Sequence, residues 1–401
     1  MGKPTILILG AGYAGITTAM MLQKKLDKLD ATITLINKHA YHYQTTWLHE
    51  YAVGTLSDHQ MKIPIESIID TDRIHFIVDT VTNLKTEEHQ VSLKKNGNII
   101  YDYLVVALGF ETATFDIPGI NDFAYVINSV DKADVLRREM EDRLSSYNKK
   151  EVNQPFTIVV GGGGFTGVEY LGELTDQLPS LLEKYKLNEH DVKLLVIEQE
   201  QSVMPGFDLE LGEYAMQMLE NKGVSFYLGA AVKSVHADYI VVEKNGLTEE
   251  ISTSIFIWTA GVRANQLIEQ SDIQHRNGSV EVTDDLLAPS NDKVFVVGDC
   301  TTVRLSDSNQ IVSPTAQLAI QQAKTCAKNI EKLIKGKSNE LIPFMYREHG
   351  LIASLGKNDA IGVLFNNKKV FGKEAVFLKR INENRVLHQI GGIPLLWKRK
   401  K

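Results

Sequence analysis

Cysteine is scarce in this chain: Cys300 and Cys326 are the two cysteines among 401 residues, and they form no CxxC pair. A disulfide framework is therefore not expected. The low cysteine content is typical of a protein from the reducing cytosol. The sequence also has no run of 18 apolar residues and no secretory signal segment, so we expect no transmembrane helix. Its net charge of −7 argues against a general nucleic-acid-binding function, because that function needs a basic face. No metal site is predicted.

Positive charge is concentrated at the C-terminal end. Ten Lys or Arg and two Glu lie between residues 366 and 401, which gives this segment a charge of +8. The remaining residues then carry −15. This distribution indicates an acidic body with a basic tail.

Two glycine-rich loops, about 150 residues apart, each follow an apolar strand. The first is Gly10-Ala11-Gly12-Tyr13-Ala14-Gly15, and the second is Gly162-Gly163-Gly164-Phe165-Thr166-Gly167. In such a loop the first glycine makes the turn, the second lets the backbone approach a pyrophosphate, and the third lets helix and strand pack closely. The helix N-terminus then attracts the phosphates. One loop is a weak signal, but two predict two dinucleotides, and the simplest use for two is to pass electrons between them.

The hydrophobic pattern predicts two strand–helix–strand units of the same layout. The expected elements are a strand at 5–9, a helix at 14–29, strands at 33–37 and 104–109, a connecting helix at 132–148, strands at 158–160, 194–198, 255–261 and 294–297, and a helix at 315–335. Short strands and basic amphipathic stretches are expected after residue 340. The predicted fold is therefore α/β, with two Rossmann-like dinucleotide-binding domains and a C-terminal appendage.

The residue that ends the second strand of each unit is expected to contact a ribose. In the second unit this residue is Glu198, whose carboxylate accepts hydrogen bonds from both ribose hydroxyls and repels a 2′-phosphate. The repulsion is on the order of 4 kcal/mol at roughly 4 Å and an effective dielectric of about 20, so Glu198 favours NADH over NADPH. In the first unit the corresponding residue is Asn37, a weaker signal, and the adjacent Lys38 leaves a phosphate contact open.

Further turns follow other predicted strands. Gly298-Asp299 places a carboxylate where it can bind a ribityl hydroxyl or, through water, a flavin pyrophosphate. Gly109 and Gly261 end two other strands and are also predicted to lie at the cofactors. We therefore expect FAD in the first unit and NADH in the second. The predicted domains are 1–115 and 266–335 for FAD, 116–265 for NADH with a core from about 155, and 336–401 for membrane association.

Over essentially its whole length the sequence resembles the bacterial type II NADH:quinone oxidoreductases, which are flavoproteins with two dinucleotide-binding domains. The residues that carry the resemblance are the LGAGYAG start, Tyr41-His42-Tyr43, Trp47-Leu48-His49-Glu50, Gly164-Phe165-Thr166-Gly167-Val168-Glu169, Trp258-Thr259-Ala260-Gly261-Val262-Arg263, Val297-Gly298-Asp299 and Thr315-Ala316-Gln317-Leu318-Ala319-Ile320-Gln321. The last stretch matches the AQxxxQ pattern tied to the quinone pocket in that family. The resemblance implies transfer of a hydride from NADH to FAD and then of two electrons to a membrane quinone, without proton pumping.

Four residues are candidates for the redox centre. Glu169 lies in the first turns of a helix, where an acid commonly complements the helix N-terminus. The resemblance instead favours a place in a proton or hydrogen-bond network on the nicotinamide side of the flavin. Gln317 and Gln321 share one helix face, and their amides suit a quinone carbonyl that becomes a hydroxyl. Lys379 is either a residue of the pocket mouth or a solvated surface lysine.

The tail is suited to a membrane surface. Phe377, Leu378 and Ile381 form an apolar stripe beside basic residues, and Ile390, Ile393, Leu395, Leu396 and Trp397 form an apolar wedge before four consecutive basic residues. Such a segment can lie in the headgroup plane, and anionic lipids add on the order of 1 kcal/mol per basic residue. We expect a peripheral protein on the cytoplasmic face of the cell membrane, where a homodimer would place both tails on one membrane face. The other interpretation is a basic C-terminus packed on its own domain.

Two alternative functions remain. A sulfide:quinone oxidoreductase shares the predicted fold but needs a cysteine pair at the flavin, a part that Cys300 and Cys326 would have to play. The other alternative is a redox-sensing flavoprotein whose partners change when NADH reduces it.

Overall fold

The computed structural model describes residues 2–147, 154–289, 291–304, 311–365 and 367–400. The side chains of Pro394 and of residues 397–400 lie outside this description. The described residues contain nine α-helices: α1 Tyr13–Lys25, α2 Leu48–Val53, α3 Asp58–Met61, α4 Ile120–Phe123, α5 Val130–Tyr147, α6 Phe165–Tyr185, α7 Leu209–Glu220, α8 Ala316–Ile334 and α9 Gly372–Lys400.

One sheet collects strands from both ends of the chain. Its order is Leu287–Ala288, Asn291–Val296, Tyr103–Val106, Thr5–Leu9, Thr32–Asn37 and Ile74–Val78. All neighbours pair in parallel except the first two, which are antiparallel. The central strands are buried apolar runs, as expected for parallel strands that are covered on both faces. The first glycine loop follows Thr5–Leu9, at the carboxyl edge of this sheet.

A second sheet is entirely parallel. Its order is Tyr125–Val126, Ile255–Trp258, Phe156–Gly161, Val192–Glu198 and Val224–Leu228. The second glycine loop follows Phe156–Gly161, whose six residues are all buried. Both loops therefore lie at the carboxyl edge of a parallel sheet, next to the central strand, where open α/β sheets bind their ligands.

Smaller sheets complete the fold, and their strands pair antiparallel except in the last two-stranded pair, which is parallel. Three have three strands each: Val81–Lys85, Gln90–Leu93 and Gly97–Ile100; Ala230–Val235, Tyr239–Lys244 and Leu247–Ser252; and Gly350–Ser354, Ala360–Leu364 and Lys369–Phe371. Three pairs have two strands each: Tyr41–His42 with Ile63–Pro64, Phe110–Thr112 with Val262–Ala264, and Val280–Glu281 with Thr301–Thr302.

The predicted elements are present, with shifted ends. The helix expected at 14–29 is α1, which ends at Lys25, and the helix expected at 132–148 is α5, which begins at Val130; Asn148 lies outside the described residues. The helix expected at 315–335 is α8; Thr315 is its N-cap, and the Thr315 hydroxyl accepts a hydrogen bond from Leu318 N–H.

The C-terminal part differs from the expected stretches after residue 340. It is one three-stranded sheet followed by α9, which is interrupted at Gly392, where φ is +65°. The apolar wedge expected here is largely wrong, because Ile390 and Leu395 are buried in the main core and Leu396 packs against it. Ile393 is exposed, and the predicted Trp397 and four basic residues 398–401 have side chains outside the described part. No helix among the described residues is long and apolar enough to cross a membrane.

Candidate functional site

In the first glycine loop, two of the three glycines are required by the backbone itself, and the third borders open space. Gly10 has φ +93°, a left-handed conformation that side chains disfavour. A Cβ on Gly15 would lie 1.8 Å from the carbonyl oxygen of Gly10, so helix and strand can approach only without a side chain. A Cβ on Gly12 would meet nothing within 4 Å. The middle glycine therefore borders open space at the N-terminus of α1.

The second loop repeats this geometry. Gly162 has φ +107°, and a Cβ on Gly167 would lie 2.2 Å from the Gly162 oxygen. A Cβ on Gly164 would again meet no atom within 4 Å. In both loops the open space lies where a pyrophosphate accepts hydrogen bonds from backbone N–H groups at a helix N-terminus. Both loops thus fit a dinucleotide.

The two strand-end residues hold their loops in the same way. Asn37 Oδ1 accepts a hydrogen bond from Ala11 N–H at 2.9 Å, and Glu198 Oε2 accepts one from Gly163 N–H at 2.6 Å. Glu198 Oε1 also accepts from Glu200 N–H at 2.9 Å, and Glu198 is buried. Lys38 is exposed. Since each carboxylate oxygen has two lone pairs, Glu198 keeps acceptor capacity beside the loop.

Asp299 lies in a turn that a buried glutamine fixes. Gln322 Oε1 accepts from Gly298 N–H at 2.7 Å, and Gln322 Nε2 donates to Thr301 Oγ1 at 2.9 Å. Gly298 itself has φ +75°. Burial raises the pKa of Asp299 to about 6. A hydroxyl or N–H donor from a ligand would stabilise the buried carboxylate. Gln322 was not predicted from the sequence. The feature that could have identified it is a single amide side chain that interrupts the apolar face of the helix.

Gly109 and Gly261 both adopt left-handed turns at strand ends. Their φ values are +73° and +79°. The Gly109 oxygen accepts from Asn265 N–H and from the Cys300 thiol, and the Gly261 oxygen accepts from Ala113 N–H. A Cβ on Gly162 would lie 2.7 Å from Ala260 N, so the turn that contains Gly261 borders the second glycine loop.

Glu169 forms a buried ion pair with Lys379. Lys379 Nζ donates to Glu169 Oε1 at 2.5 Å, and Ser354 N–H donates to the same oxygen at 3.0 Å. Burial alone would raise the pKa of Glu169, but the Lys379 charge, His49 and these hydrogen bonds hold the pKa below its ordinary value. Burial alone would lower the pKa of Lys379, but Glu169 and Glu383 raise it above its ordinary value. Both groups are therefore charged at neutral pH, and Lys379 is not a solvated surface lysine.

Gln317 and Gln321 both hold the segment that precedes the C-terminal sheet. Gln317 Oε1 accepts from His349 N–H at 3.1 Å, and Gln317 Nε2 donates to the Gly350 oxygen at 3.2 Å. Gln321 makes the same pair of bonds with the N–H and oxygen of Arg347, at 2.9 and 2.8 Å. The strand that follows, Gly350–Ser354, ends at the residue that donates to Glu169. This strand connects the two glutamines with the Glu169–Lys379 pair.

The two cysteines are separate and buried. Both are free thiols. Burial raises the pKa of the Cys300 thiol to about 12, and burial also raises the pKa of Cys326, which lies in α8. Since the thiolate is the reactive form, neither is suited to the disulfide chemistry of a sulfide-oxidising flavoprotein.

Comparison with known proteins identifies the family of this chain. A family described as pyridine nucleotide-disulphide oxidoreductase matches residues 4–326. A type II NADH:quinone oxidoreductase from Staphylococcus aureus strain MSSA476 is 38% identical over 401 residues, which cover 100% of this chain and 99% of that protein. The chain belongs to the type II NADH:quinone oxidoreductase family.

Solved structures show that the fold is shared more widely than the family. NDH2 from Plasmodium falciparum in complex with NADH superimposes with a TM-score of 0.87 at 19% identity, covering 100% of this chain and 98% of that one. The sulfide:quinone oxidoreductase from Aquifex aeolicus gives 0.79 at 19% identity, covering 97% and 91%. Fold alone thus does not distinguish an NADH:quinone oxidoreductase from a sulfide:quinone oxidoreductase. Site residues such as the cysteines have to make that distinction.

His49 is a further residue of the site that sequence reasoning did not assign. It lies on α2, with Nδ1 3.8 Å from Glu169 Oε2, and its side chain is 4% exposed. The segment that leads into α2 is attached near the first glycine loop, because the hydroxyls of Tyr13 and Thr46 are hydrogen bonded at 3.0 Å. His49 therefore lies at the junction of the two glycine-loop units, which motif spacing alone does not reveal.

Proposed function

We propose that this protein is an FAD-dependent NADH:quinone oxidoreductase, with FAD at the first glycine loop and NADH at the second. The observation that carries the proposal is the pair of matching loops, each with open space at its middle glycine, in a chain 38% identical over its full length to a type II NADH:quinone oxidoreductase. Bound FAD supplies a two-electron carrier between NADH and the quinone.

The domain and binding assignments follow from this proposal. Residues 1–115 and 266–335 bind FAD through Gly10, Gly12, Gly15, Asn37, Lys38, Gly109 and Asp299. Residues 116–265 bind NADH through Gly162, Gly164, Gly167, Glu198 and Gly261. The support is that each set lies at the carboxyl edge of one parallel sheet.

The proposed redox centre contains Glu169, Lys379, Gln317 and Gln321. Glu169 and Lys379 form a buried ion pair, which orients a carboxylate and an ammonium group in a place with little water. In this arrangement Glu169 exchanges a proton at a quinone oxygen. The two glutamines position the Arg347–Gly350 backbone, and we propose that they contact the quinone ring when it is bound.

A membrane-facing role is proposed for α9 and its neighbours. Phe377 is 64% exposed and Ile381 48% exposed, one helical turn apart on α9, and the exposed Arg380 lies between them in sequence. Met345, Phe365 and Ile393 are further exposed apolar side chains of the C-terminal part. An exposed apolar stripe with basic residues is suited to an anionic membrane surface on the cytoplasmic side, where the enzyme meets a lipid-soluble quinone. A homodimer would place two such stripes on one membrane face.

The choice of electron donor tests the proposal. FAD-loaded protein is mixed anaerobically with a short-chain quinone and either NADH or sulfide, and quinone reduction is followed by absorbance. We expect rapid reduction with NADH and none with sulfide. Reduction driven by sulfide would instead identify a sulfide:quinone oxidoreductase, and NADH oxidation without quinone reduction would point to a redox sensor.

A further inference from the structure

His49 lies between two carboxylates. Its Nδ1 is 3.8 Å from Oε2 of Glu169, and its Nε2 is 4.0 Å from Oε1 of Glu50. In the part of the chain that the structure describes, the buried Nε2 atom has no hydrogen-bond partner. Burying a polar atom without a partner costs free energy, so an unpartnered ring nitrogen in this position indicates a use for it.

The three side chains differ in their access to solvent. Glu50 is 21% exposed, His49 4% and Glu169 15%, so the imidazole is the least exposed of the three groups and lies between two more exposed carboxylates. Lys379 and Ser354 both bond to Oε1 of Glu169, whereas Oε2 faces His49. The two oxygens of Glu169 thus have different surroundings.

The proposed reaction needs a route for one proton, and the inference rests on that proposed function. NADH, one proton and a quinone give NAD⁺ and a quinol. NADH supplies both electrons and one hydrogen, and the second hydrogen must come from solvent as a proton in each turnover. A buried redox centre therefore requires groups that deliver this proton.

We propose that His49 relays this proton from Glu50 to Glu169. It acts on the quinone only through Glu169. A proton from Glu50 bonds to Nε2 while the proton on Nδ1 leaves for Oε2 of Glu169. Glu169 gives that proton to a quinone oxygen as the two electrons reach the quinone, and its carboxylate is restored. The imidazole returns to its first tautomer by rotation or by exchange, and Glu50 takes up a new proton from solvent, which is the one proton that each turnover consumes.

The charges around the ring support this use. Glu50 on α2, Glu169 on α6, and Lys379 and Glu383 on α9 are the charged groups of this cluster. Burial lowers the pKa of His49 to about 4, with Glu169 opposing the effect and Lys379 adding to it. The ring is therefore neutral at pH 7, with one donor and one acceptor nitrogen, as a tautomer relay requires. Separations of 3.8 and 4.0 Å exceed a hydrogen bond, but such contacts often tighten once substrate binds.

The test uses the variants His49→Gln and Glu50→Gln. It measures the two half-reactions, flavin reduction by NADH and flavin reoxidation by quinone, separately. FAD-loaded protein is reduced anaerobically with NADH and then mixed with a short-chain quinone between pH 6 and pH 9, in H₂O and in D₂O. We expect flavin reduction to keep the parent rate and reoxidation to slow by about tenfold or more, the scale of general acid catalysis. The slowing should grow with pH, and the solvent isotope effect should rise, because proton delivery becomes limiting. A purely structural role would move neither of these two readouts.

His75→Gln and Glu66→Gln are the matched controls, since both of these side chains are exposed. Reoxidation of His49→Gln that matches His75→Gln at every pH would overturn the inference, and so would equal slowing of both half-reactions. If the parent protein itself is not reoxidised by quinone, the proposed function fails instead.

Discussion

Glycines in this chain are required for different reasons, and the space around each absent Cβ shows which reason applies. Gly164 has open space around its missing Cβ, whereas a Cβ on Gly172 would lie 2.4 Å from the carbonyl carbon of Leu355. Gly164 borders the proposed pyrophosphate, whereas Gly172 lets α6 pack against the turn after strand Gly350–Ser354. One position therefore concerns binding, and the other concerns packing.

We predict opposite outcomes for alanine at these two positions. Gly164→Ala should leave the melting temperature unchanged and raise the dissociation constant for NADH, because the methyl group occupies the phosphate position. Gly172→Ala should lower the free energy of unfolding by about 1–3 kcal/mol, the cost of overpacking. Thermal unfolding without nucleotide and an NADH titration measure the two effects. Unchanged NADH affinity in Gly164→Ala would contradict the placement of NADH at this loop.

Glu198 should determine the preference between NADH and NADPH. Its carboxylate is fixed by two backbone N–H groups, so a 2′-phosphate cannot push it aside cheaply. We predict that Glu198→Gln, which keeps one acceptor and removes the charge, shifts the ratio of kcat/KM values toward NADPH by about tenfold or more. Glu200→Gln, a neighbouring exposed acid, is the control. An unchanged ratio in Glu198→Gln would place the ribose elsewhere.

The glycine loops could be predicted residue by residue, because the turn, the open space for a phosphate and the close helix–strand contact all depend on a few neighbouring residues. Contacts that join distant segments could not. Glu169 meets Lys379 across 210 residues, and Gly298 meets Gln322 through a buried amide that resembles any polar helix position in the sequence. His49 was visible only as part of a resembling stretch, because no spacing rule places α2 against α6.

At the scale of elements, strand Gly350–Ser354 connects two parts of the proposed redox centre. Gln317 on α8 holds the oxygen of its first residue, and Glu169 on α6 accepts from the N–H of its last. Helix periodicity placed both glutamines on one face but gave no sign that their amides would hold backbone. The strand itself was anticipated only as one of several short strands after residue 340.

Gln317→Ala should therefore impair the quinone half-reaction selectively. We predict reoxidation of the flavin by quinone about tenfold slower, equivalent to the loss of about one hydrogen bond, with reduction by NADH unchanged. Stopped-flow absorbance of the flavin measures both rates. Lys328→Ala, an exposed position on the same helix, is the control. Equal loss in both half-reactions would mean that Gln317 acts through the fold and not at the quinone.

At the scale of the whole molecule, the exposed apolar side chains of the C-terminal part are proposed to face a bilayer. The sequence anticipated the Phe377–Ile381 stripe, because four-residue spacing on a helix is a local property. It did not anticipate that Ile390 and Leu395 turn inward, since this depends on the break at Gly392 and on the core that α9 reaches. The proposed membrane face is therefore smaller than the sequence pattern indicates.

We predict that Phe377→Asp weakens binding to vesicles of anionic phospholipid, and that the remaining binding falls further with salt. Phe377 is 64% exposed, so the substitution should leave the melting temperature unchanged. Leu247→Asp, at an apolar position that is 76% exposed on the Leu247–Ser252 strand, is the control. Co-sedimentation with vesicles measures the bound fraction. Equal binding by the two variants would show that this part of α9 is not the membrane face.

The most direct test of the central claim is anaerobic rapid mixing of the FAD-loaded protein with NADH, followed by a short-chain quinone, while the flavin absorbance is recorded. Two dinucleotide sites and a quinone-reducing centre in one chain predict fast bleaching by NADH and fast recovery on quinone. A flavin that NADH bleaches but quinone cannot reoxidise would contradict the claim.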